Sequence, residues 1–432
     1  MSALVIGFVG LVVLIGLLLL RVPVALSMAA VGFFGYWSIS GLNPTLKLMG
    51  LVPYSTVASY TFTVIPLFLL MGYFVYYGNL ATDMFSSFNK WLGNIPGGIL
   101  YATIIGGAAF GAANGSGPAS TATLARITIP EMERLGVNKK LAYGAVASAG
   151  PLAQMIPPSM LMIIYAILAE QPVGKLLIAG IIPGIIITLG YIVTIYVVLK
   201  KNPDWAPKTQ KYSMKEKVHS LKGIWGIAIL IGSIMIGLYL GVFTPTEAGA
   251  VGAAIAFVIT IVTKKLKWSG FTSSIIETIK TSATVFFIVI SSFLFGYFLG
   301  ITQIPAFVSE FLTGLNVSPM TIMVFVCLMY LFLGMFIDMI SAMFLTIPII
   351  LPAIIQLGFD PIWFGVIVVF LAEISLVTPP FGISIFMIQG VVKGSEYGDI
   401  IKGSIPFIIA DLFILVIFLA FPKLILFLPG LM

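Results

Sequence analysis

The sequence has little of what soluble enzymes and redox proteins rely on. Its 432 residues include one cysteine, one histidine and only 9% charged residues, whereas a soluble domain carries about 25%. The single cysteine, Cys327, excludes a disulfide or a cysteine-based metal site within the chain. The phosphate-binding pattern G-x-x-x-x-G-K-[ST] is absent as well, which argues against transport driven by ATP.

Hydrophobic sequence takes the place of the missing charge. Hydrophobic residues make up 60% of the chain, and apolar runs recur that are long enough to cross a hydrocarbon core of ~30 Å. The runs are continuous rather than alternating, which favours membrane-spanning helices over a β-barrel. The net charge of +7 fits a positive-inside bias and requires no nucleic acid. We therefore predict a multi-pass all-α protein of the lipid bilayer.

One basic hydrophilic segment, residues 200–222, divides the chain. It holds seven lysines and His219, so we expect it to lie in the cytoplasm. Tracing crossings outward from it puts all lysines and arginines except Lys47, Lys175 and Lys423 on the cytoplasmic side. The same tracing puts Thr244–Glu247 and the C-terminus outside.

Residues 97–129 cannot form one crossing, because both ends fall on the cytoplasmic side. The second part, residues 119–129, would be a helix of roughly 17 Å at 1.5 Å per residue, too short to span the core. The sequence therefore predicts a re-entrant hairpin with "ANGSGP", residues 113–118, at its tip.

The two halves of the chain repeat this pattern. "TIP" occurs at 128–130 and 346–348, and a double proline occurs at 157–158 and 379–380, so the offsets are 218 and 222. The topology sends the second hairpin in from the opposite side, which makes the repeats inverted. Inverted repeats with interrupted helices in matching positions point to a secondary transporter and its substrate site.

The predicted organisation follows from these repeats. It comprises N-terminal scaffold helices (1–96), a first transport half with hairpin and broken helix (97–169), further scaffold helices with the basic loop (170–301), a second transport half (302–403) and a C-terminal helix (404–432).

The broken segments supply the candidate binding residues. Backbone that leaves a helix inside the membrane is tolerated where it lines a cavity or is buried in protein, and there it offers carbonyl oxygens to cations and helix N-termini to anions. We predict one Na⁺ site per repeat, with substrate between the hairpin tips. The Na⁺ candidates are Asn114, Ser116, Ser148 and Gly150 in the first half and Gly334, Asp338, Ser341, Thr378 and Gly382 in the second. The substrate candidates are Ser120, Gln154, Pro157, Pro379 and Ser384.

Four charged residues allow more than one role. Asp338 is a carboxylate at membrane depth, which is costly and by default functional; it is either an Na⁺ ligand or structural. Glu373 is either a support for the broken helix or a ligand, and Asp411 is structural, subunit-facing or a ligand. Arg126 either extends to the cytoplasmic interface or binds an anionic substrate. Isolated glycines and serines also serve close helix packing.

Four stretches together resemble the large membrane subunit of a tripartite ATP-independent periplasmic (TRAP) transporter. They are "SGPASTATLARITIPEM", "SAGPLAQMIPPSMLMIIYAILAEQPVGKLLIAGIIPG", "FTPTEAGAVGA" and "EISLVTPPFGISIF". The resemblance implies Na⁺-driven uptake of an organic acid across a bacterial inner membrane by an elevator-type motion. It also implies a small membrane subunit and a soluble periplasmic substrate-binding protein as partners.

Three other functions are alternatives to a tripartite transporter. An intramembrane serine protease needs a base near its nucleophile, but the only histidine lies in the basic loop. A channel filter normally assembles from several subunits around an axis, whereas this chain carries its own inverted pair. The nearest alternative is an elevator-type anion–Na⁺ symporter that works alone. The sequence does not distinguish acidic sugars, dicarboxylates and keto acids as substrates.

Overall fold

The computed structural model describes residues 2–206 and 209–432, and these are helical almost throughout. Seven of the described helices are long and apolar enough to cross a membrane, or eight if one bent pair forms a single span. Large apolar side chains such as Leu19, Val193 and Phe413 are exposed on the outside of the bundle. A protein surface of this kind is suited to lipid rather than to water, which agrees with the predicted multi-pass membrane protein.

The helices fall into two sets around the basic loop. The first set is α1 (Ala3–Leu19), α2 (Val24–Ser40), α3 (Leu42–Val57), α4 (Val64–Tyr77), α5 (Leu80–Leu92), α6 (Gly98–Asn114), α7 (Gly117–Arg134), α8 (Lys139–Ala149), α9 (Met160–Leu168), α10 (Val173–Ala179) and α11 (Ile181–Lys201). The second set is α12 (Met214–Ser220), α13 (Trp225–Tyr239), α14 (Pro245–Val262), α15 (Trp268–Thr302), α16 (Ile304–Thr313), α17 (Pro319–Phe336), α18 (Met339–Gln356), α19 (Pro361–Val377), α20 (Ile383–Val391), α21 (Tyr397–Ala420) and α22 (Lys423–Leu426).

Both hairpins and both broken helices are present. Hairpin 1 is α6 and α7, and hairpin 2 is α17 and α18. The first broken helix is α8 and α9, and the second is α19 and α20. Corresponding helices begin 221 to 223 residues apart, at 98 and 319, 117 and 339, 139 and 361, and 160 and 383. The predicted repeat fold is therefore confirmed, with nearly constant spacing across four successive helices.

Several helices differ from the sequence expectations. Among them, α3, α5 and α16 were not predicted. Hydropathy predicts a crossing at about residues 281–301, and in the structure this stretch is the end of the 35-residue α15. Helix α5 buries Leu80, Met84 and Phe85 on one face. A window that measures mean hydropathy overlooks such amphipathic helices because their polar residues lower the average.

Glycines set the close packing that holds the broken helices in place. A Cβ atom on Gly107 of α6 would lie 2.7 Å from the carbonyl oxygen of Ala149, and one on Gly111 would lie 2.6 Å from the Cα of Ala153. These backbones approach closely because no side chain separates them. Hairpin 1 thereby lies directly against the break between α8 and α9.

Candidate functional site

The tip of hairpin 1 is a tight turn between two helix ends. Helix α6 ends at Asn114, and Gly115 adopts a left-handed conformation with φ of 69°, which favours glycine at this position. The Asn114 Nδ2 donates a hydrogen bond of 2.9 Å to the Ser120 hydroxyl. Ser116 precedes α7 but its side chain caps no backbone N–H group. Two predicted ligands, Asn114 and Ser120, therefore bond to each other across the tip.

The first break carries two buried polar atoms that lack partners. Ser148 Oγ and Gln154 Oε1 have no hydrogen-bond partner among the described residues, although Ser148 is fully buried and Gln154 is 8% exposed. Buried polar groups in native proteins are nearly always satisfied by protein, water or ligand. These two atoms lie beside Gly150, and they are polar atoms that a ligand at this break could contact.

The second break lies between Val377 and Ile383. The Thr378 hydroxyl donates a hydrogen bond of 2.7 Å to the carbonyl oxygen of Ile374. Gly382 is the N-cap residue of α20, which has no side-chain cap. Hairpin 2 reaches this region through Gly334, where a Cβ atom would lie 2.6 Å from the Ser375 hydroxyl oxygen. Ser375 was missed, since it lies within the unbroken helix α19.

The two halves meet at the tip of hairpin 1. Thr121 Oγ1 and Ser384 Oγ lie 3.2 Å apart. A Cβ atom on Gly117 would lie 2.9 Å from Leu376 Cδ1 and 3.3 Å from Gln154 Nε2. Hairpin 1, the first break and the second broken helix therefore converge on one place. The prediction that substrate binds between the tips of both hairpins stays a prediction. Thr121 was missed, although it follows Ser120 directly in the sequence.

Helix ends give this place its electrostatic character. Helices α7 and α20 begin there, and neither has a side-chain cap. The N-terminal N–H groups of a helix attract anions. Helices α6, α8 and α19 end there, and helix ends leave carbonyl oxygens that suit a hard cation. The described residues hold no cluster of three or more His, Cys, Asp or Glu. The residues predicted to bind Na⁺ at the two breaks offer hydroxyl and main-chain oxygens.

Asp338 occupies the turn of hairpin 2 and has a structural role as well. It is the N-cap residue of α18, and its Oδ1 accepts a hydrogen bond of 3.0 Å from the Ser341 N–H. Asp338 is exposed, whereas Ser341 is buried. Asp338 therefore has the structural role of a helix cap, which does not itself require a bound cation. The proposed Na⁺ role of Asp338 remains a prediction.

The remaining candidates lie where the sequence suggested, without contacts that assign them a ligand. Pro157 is buried and Pro379 is half-buried, and the Pro157–Pro158 and Pro379–Pro380 bonds are both cis. Arg126 is exposed on α7. Glu373 and Asp411 are fully buried beside Tyr191.

The contact between the halves gives a first testable prediction. Thr121→Val and Ser384→Ala should each lower stability by about 1 kcal/mol, the usual net value of one hydrogen bond. The double variant should lose less than the sum, because both changes remove the Thr121–Ser384 bond. Thr121→Val also removes the bond of this hydroxyl to the Gly117 carbonyl within α7. Thermal unfolding in detergent would measure this. Thr123→Val is the control, since its hydroxyl bonds only within α7, to Ala119. Strictly additive losses would show that the halves are not coupled here.

Comparisons with known proteins agree with this architecture. Residues 11–424 match the family model described as "Tripartite ATP-independent periplasmic transporter, DctM component". The chain is 33% identical over 404 residues to the C4-dicarboxylate TRAP transporter large permease protein DctM of Pseudomonas aeruginosa, which covers 93% of this chain and 94% of that protein. It is 32% identical over 372 residues to the 2,3-diketo-L-gulonate TRAP transporter large permease protein YiaN of Escherichia coli, which covers 85% and 86%.

A solved structure supports the fold alone. The crystal structure of the Alcanivorax borkumensis YdaH transporter superimposes with a TM-score of 0.61 over 88% of this chain and 90% of that chain, at 12% identity. Sequence identity this low carries no information on substrate or coupling ion.

Proposed function

The chain belongs to the DctM family of tripartite ATP-independent periplasmic transporters, and from this premise we propose that it imports an organic acid by Na⁺ symport. As a large permease subunit it is a multi-pass inner-membrane transport protein and not an enzyme. The observation that carries the proposal is the approach of both breaks to hairpin 1 at Gly117 and Thr121. In the first break, Ser148 Oγ and Gln154 Oε1 have no hydrogen-bond partner among the described residues.

The substrate class follows from the helix ends and from the relatives. The N-termini of α7 and α20 favour a carboxylate. The relatives described above are named for C4-dicarboxylates and 2,3-diketo-L-gulonate, and a further relative from Haemophilus influenzae is named for sialic acid. All three substrates are organic acids. We propose that the carboxylate lies between these helix ends, with Na⁺ held by oxygens at the breaks.

Transport requires the site to face each side of the membrane in turn. We propose an elevator motion, in which the hairpins and broken helices move as one body against the scaffold helices. The close contacts of Gly107 with Ala149 and of Gly111 with Ala153 support this, because they bind hairpin 1 to the first break.

Two partners complete the proposed transporter. A small membrane subunit would pair with the large one, as the fused isethionate relative named DctMQ suggests, and a periplasmic binding protein would deliver the acid. Co-purification with a small membrane subunit separates this from the stand-alone symporter, which needs none.

Uptake by the reconstituted transporter tests the proposal. The partner binding protein is first screened against organic acids by thermal shift, and the acid that stabilises it is labelled. Proteoliposomes holding both membrane subunits should then accumulate it only with the binding protein and an inward Na⁺ gradient. Equal uptake with K⁺ in place of Na⁺, and no pH gradient, would refute Na⁺ symport.

A substitution at Asp338 can remove the negative charge of this side chain while keeping its ability to cap α18. Asp338→Asn keeps a good N-cap residue but removes the carboxylate, so the protein should fold while the Na⁺ concentration for half-maximal uptake rises at least several-fold. Asp360→Asn is the matched control, because Asp360 also caps a helix, α19, through the N–H groups of Ile362 and Trp363. A folded Asp338→Asn protein with a wild-type Na⁺ curve would remove Asp338 from the site.

A further inference from the structure

Three helices bring two carboxyl groups to one tyrosine in the interior of the bundle. The Tyr191 hydroxyl of α11 lies 3.0 Å from Asp411 Oδ2 of α21 and 3.4 Å from Glu373 Oε1 of α19. All three residues have an exposed fraction of 0%. The other oxygens of the pair, Glu373 Oε2 and Asp411 Oδ1, have no hydrogen-bond partner among the described residues.

The number of hydrogens available to Tyr191, Glu373 and Asp411 decides which of their contacts can be hydrogen bonds. A tyrosine hydroxyl has one hydrogen to donate, whereas an ionised carboxylate only accepts. Tyr191 can therefore donate to Asp411 or to Glu373 but not to both. The second contact becomes a hydrogen bond only if that carboxyl group carries a proton and donates to the tyrosine oxygen.

Electrostatic repulsion between the two carboxyl groups also favours a proton on one of them. Two buried carboxylates beside one hydroxyl would repel each other and would both have lost their hydration. The four ion pairs among the described residues all lie elsewhere, at Glu131, Asp83, Asp399 and Glu277. No lysine or arginine that the structure describes therefore forms an ion pair with Glu373 or Asp411.

We propose that Tyr191, Glu373 and Asp411 form a proton-binding site, in which the two carboxyl groups hold one proton at neutral pH. This site is separate from the proposed Na⁺ and substrate site and does not depend on it. Loss of the proton would leave two adjacent anions between α19 and α21 and would push these helices apart. Thr378 lies five residues beyond Glu373, about 7.5 Å along the helix axis, so the charge of the pair acts close to the second break.

A metal cation fits this cluster less well than a proton does. Hard cations prefer a shell of about six or more oxygens, usually including main-chain carbonyls. Helices α11, α19 and α21 run unbroken through Tyr191, Glu373 and Asp411, so the neighbouring carbonyls are used within the helices. The cluster thus offers only three side chains.

The surroundings contain no other described group that takes part. Buried titratable side chains on the neighbouring helices have other positions or partners: Tyr165 donates to the Pro361 carbonyl, Tyr330 bonds to Thr346, and Tyr143 and Cys327 form no contact with the pair in the described residues. The charged residues on helices packed against the cluster are exposed or half-buried, namely Lys139, Lys140, Lys175, Lys200, Lys201, Asp399, Lys402 and Lys423.

Infrared spectroscopy of the purified full-length protein tests the proposal. At about pH 8 ordinary carboxyl groups are ionised, so a remaining carbonyl stretch of a protonated carboxyl reports a buried proton. The wild-type protein should show this band, and the band should persist in both Na⁺ and K⁺ buffers. It should be lost in the double variant Glu373→Gln/Asp411→Asn and kept in Glu310→Gln, which changes an exposed carboxylate.

The single variants keep the test decisive if the double variant does not fold. Glu373→Gln and Asp411→Asn should each shift or remove the band, and Tyr191→Phe should shift it by removing the shared hydroxyl. Absence of the band from the wild-type protein would overturn the proposal, as would an unchanged band in both single variants. Loss of the band on adding Na⁺ would also overturn it, because the pair would then bind a metal cation.

Discussion

Replacing Gly403 with valine is expected to prevent the protein from folding. Helices α8 and α21 touch backbone to backbone, and a Cβ atom on Gly403 would lie 1.8 Å from the Lys140 carbonyl oxygen. From the other side, a Cβ atom on Gly144 would lie 1.9 Å from the Gly403 carbonyl oxygen. Overpacking in a core costs about 1–3 kcal/mol where side chains can move. Here backbone opposes backbone, so we expect a larger loss.

A second glycine of the same helix provides a control for the valine substitution. Gly398 also lies in α21, but a Cβ atom there would have no atom within 4 Å. Gly398→Val should therefore give nearly the wild-type yield of monodisperse protein by fluorescence-detected size exclusion, while Gly403→Val gives aggregate or none. Equal yields would mean that α8 and α21 are not packed in this way.

Gln154→Leu is expected to weaken uptake strongly while leaving the protein folded. The side chain is buried, its Oε1 has no partner among the described residues, and its Nε2 points toward Gly117 at the tip of hairpin 1. Removing an unsatisfied buried polar group costs little stability or raises it. A lost hydrogen bond to a charged ligand costs about 1.5–3 kcal/mol, which corresponds to a roughly 10- to 150-fold loss of affinity.

Uptake and thermal unfolding should be measured on the same preparations of this variant. Gln171→Leu serves as the control, because Gln171 lies between α9 and α10 and bonds to the Ala169 carbonyl. We expect full uptake in the control and a wild-type unfolding temperature in Gln154→Leu. Wild-type uptake by a folded Gln154→Leu protein would exclude Gln154 from the substrate site.

Hydropathy and repeated motifs were enough to predict the membrane fold and both interrupted segments. The "TIP" and double-proline pairs placed the repeats correctly because prolines and glycines interrupt helices in a way that is visible in sequence. Helix α5 was missed because only one of its faces is apolar. The start of α15 was missed because Trp268–Lys280 is polar, yet it continues the same helix.

Candidate site residues could be chosen from the sequence, but their contacts could not be predicted. Ser148 and Gln154 could be chosen because they are polar and next to a break. The bond between Thr121 and Ser384 joins residues 263 positions apart, and local patterns carry no information on such pairs. The same limit applies to Tyr191, which approaches Glu373 and Asp411 only because three distant helices pack together.

The central claim is that the helix breaks bind Na⁺, and thermal unfolding in matched salts tests it most directly. Purified protein is unfolded in NaCl and in KCl at equal ionic strength, without substrate. A ligand at 100 times its Kd stabilises the folded state by about 2.7 kcal/mol, so the unfolding temperature should be higher in Na⁺. Ser148→Ala should lose much of that difference. Identical unfolding temperatures in both salts would contradict the account.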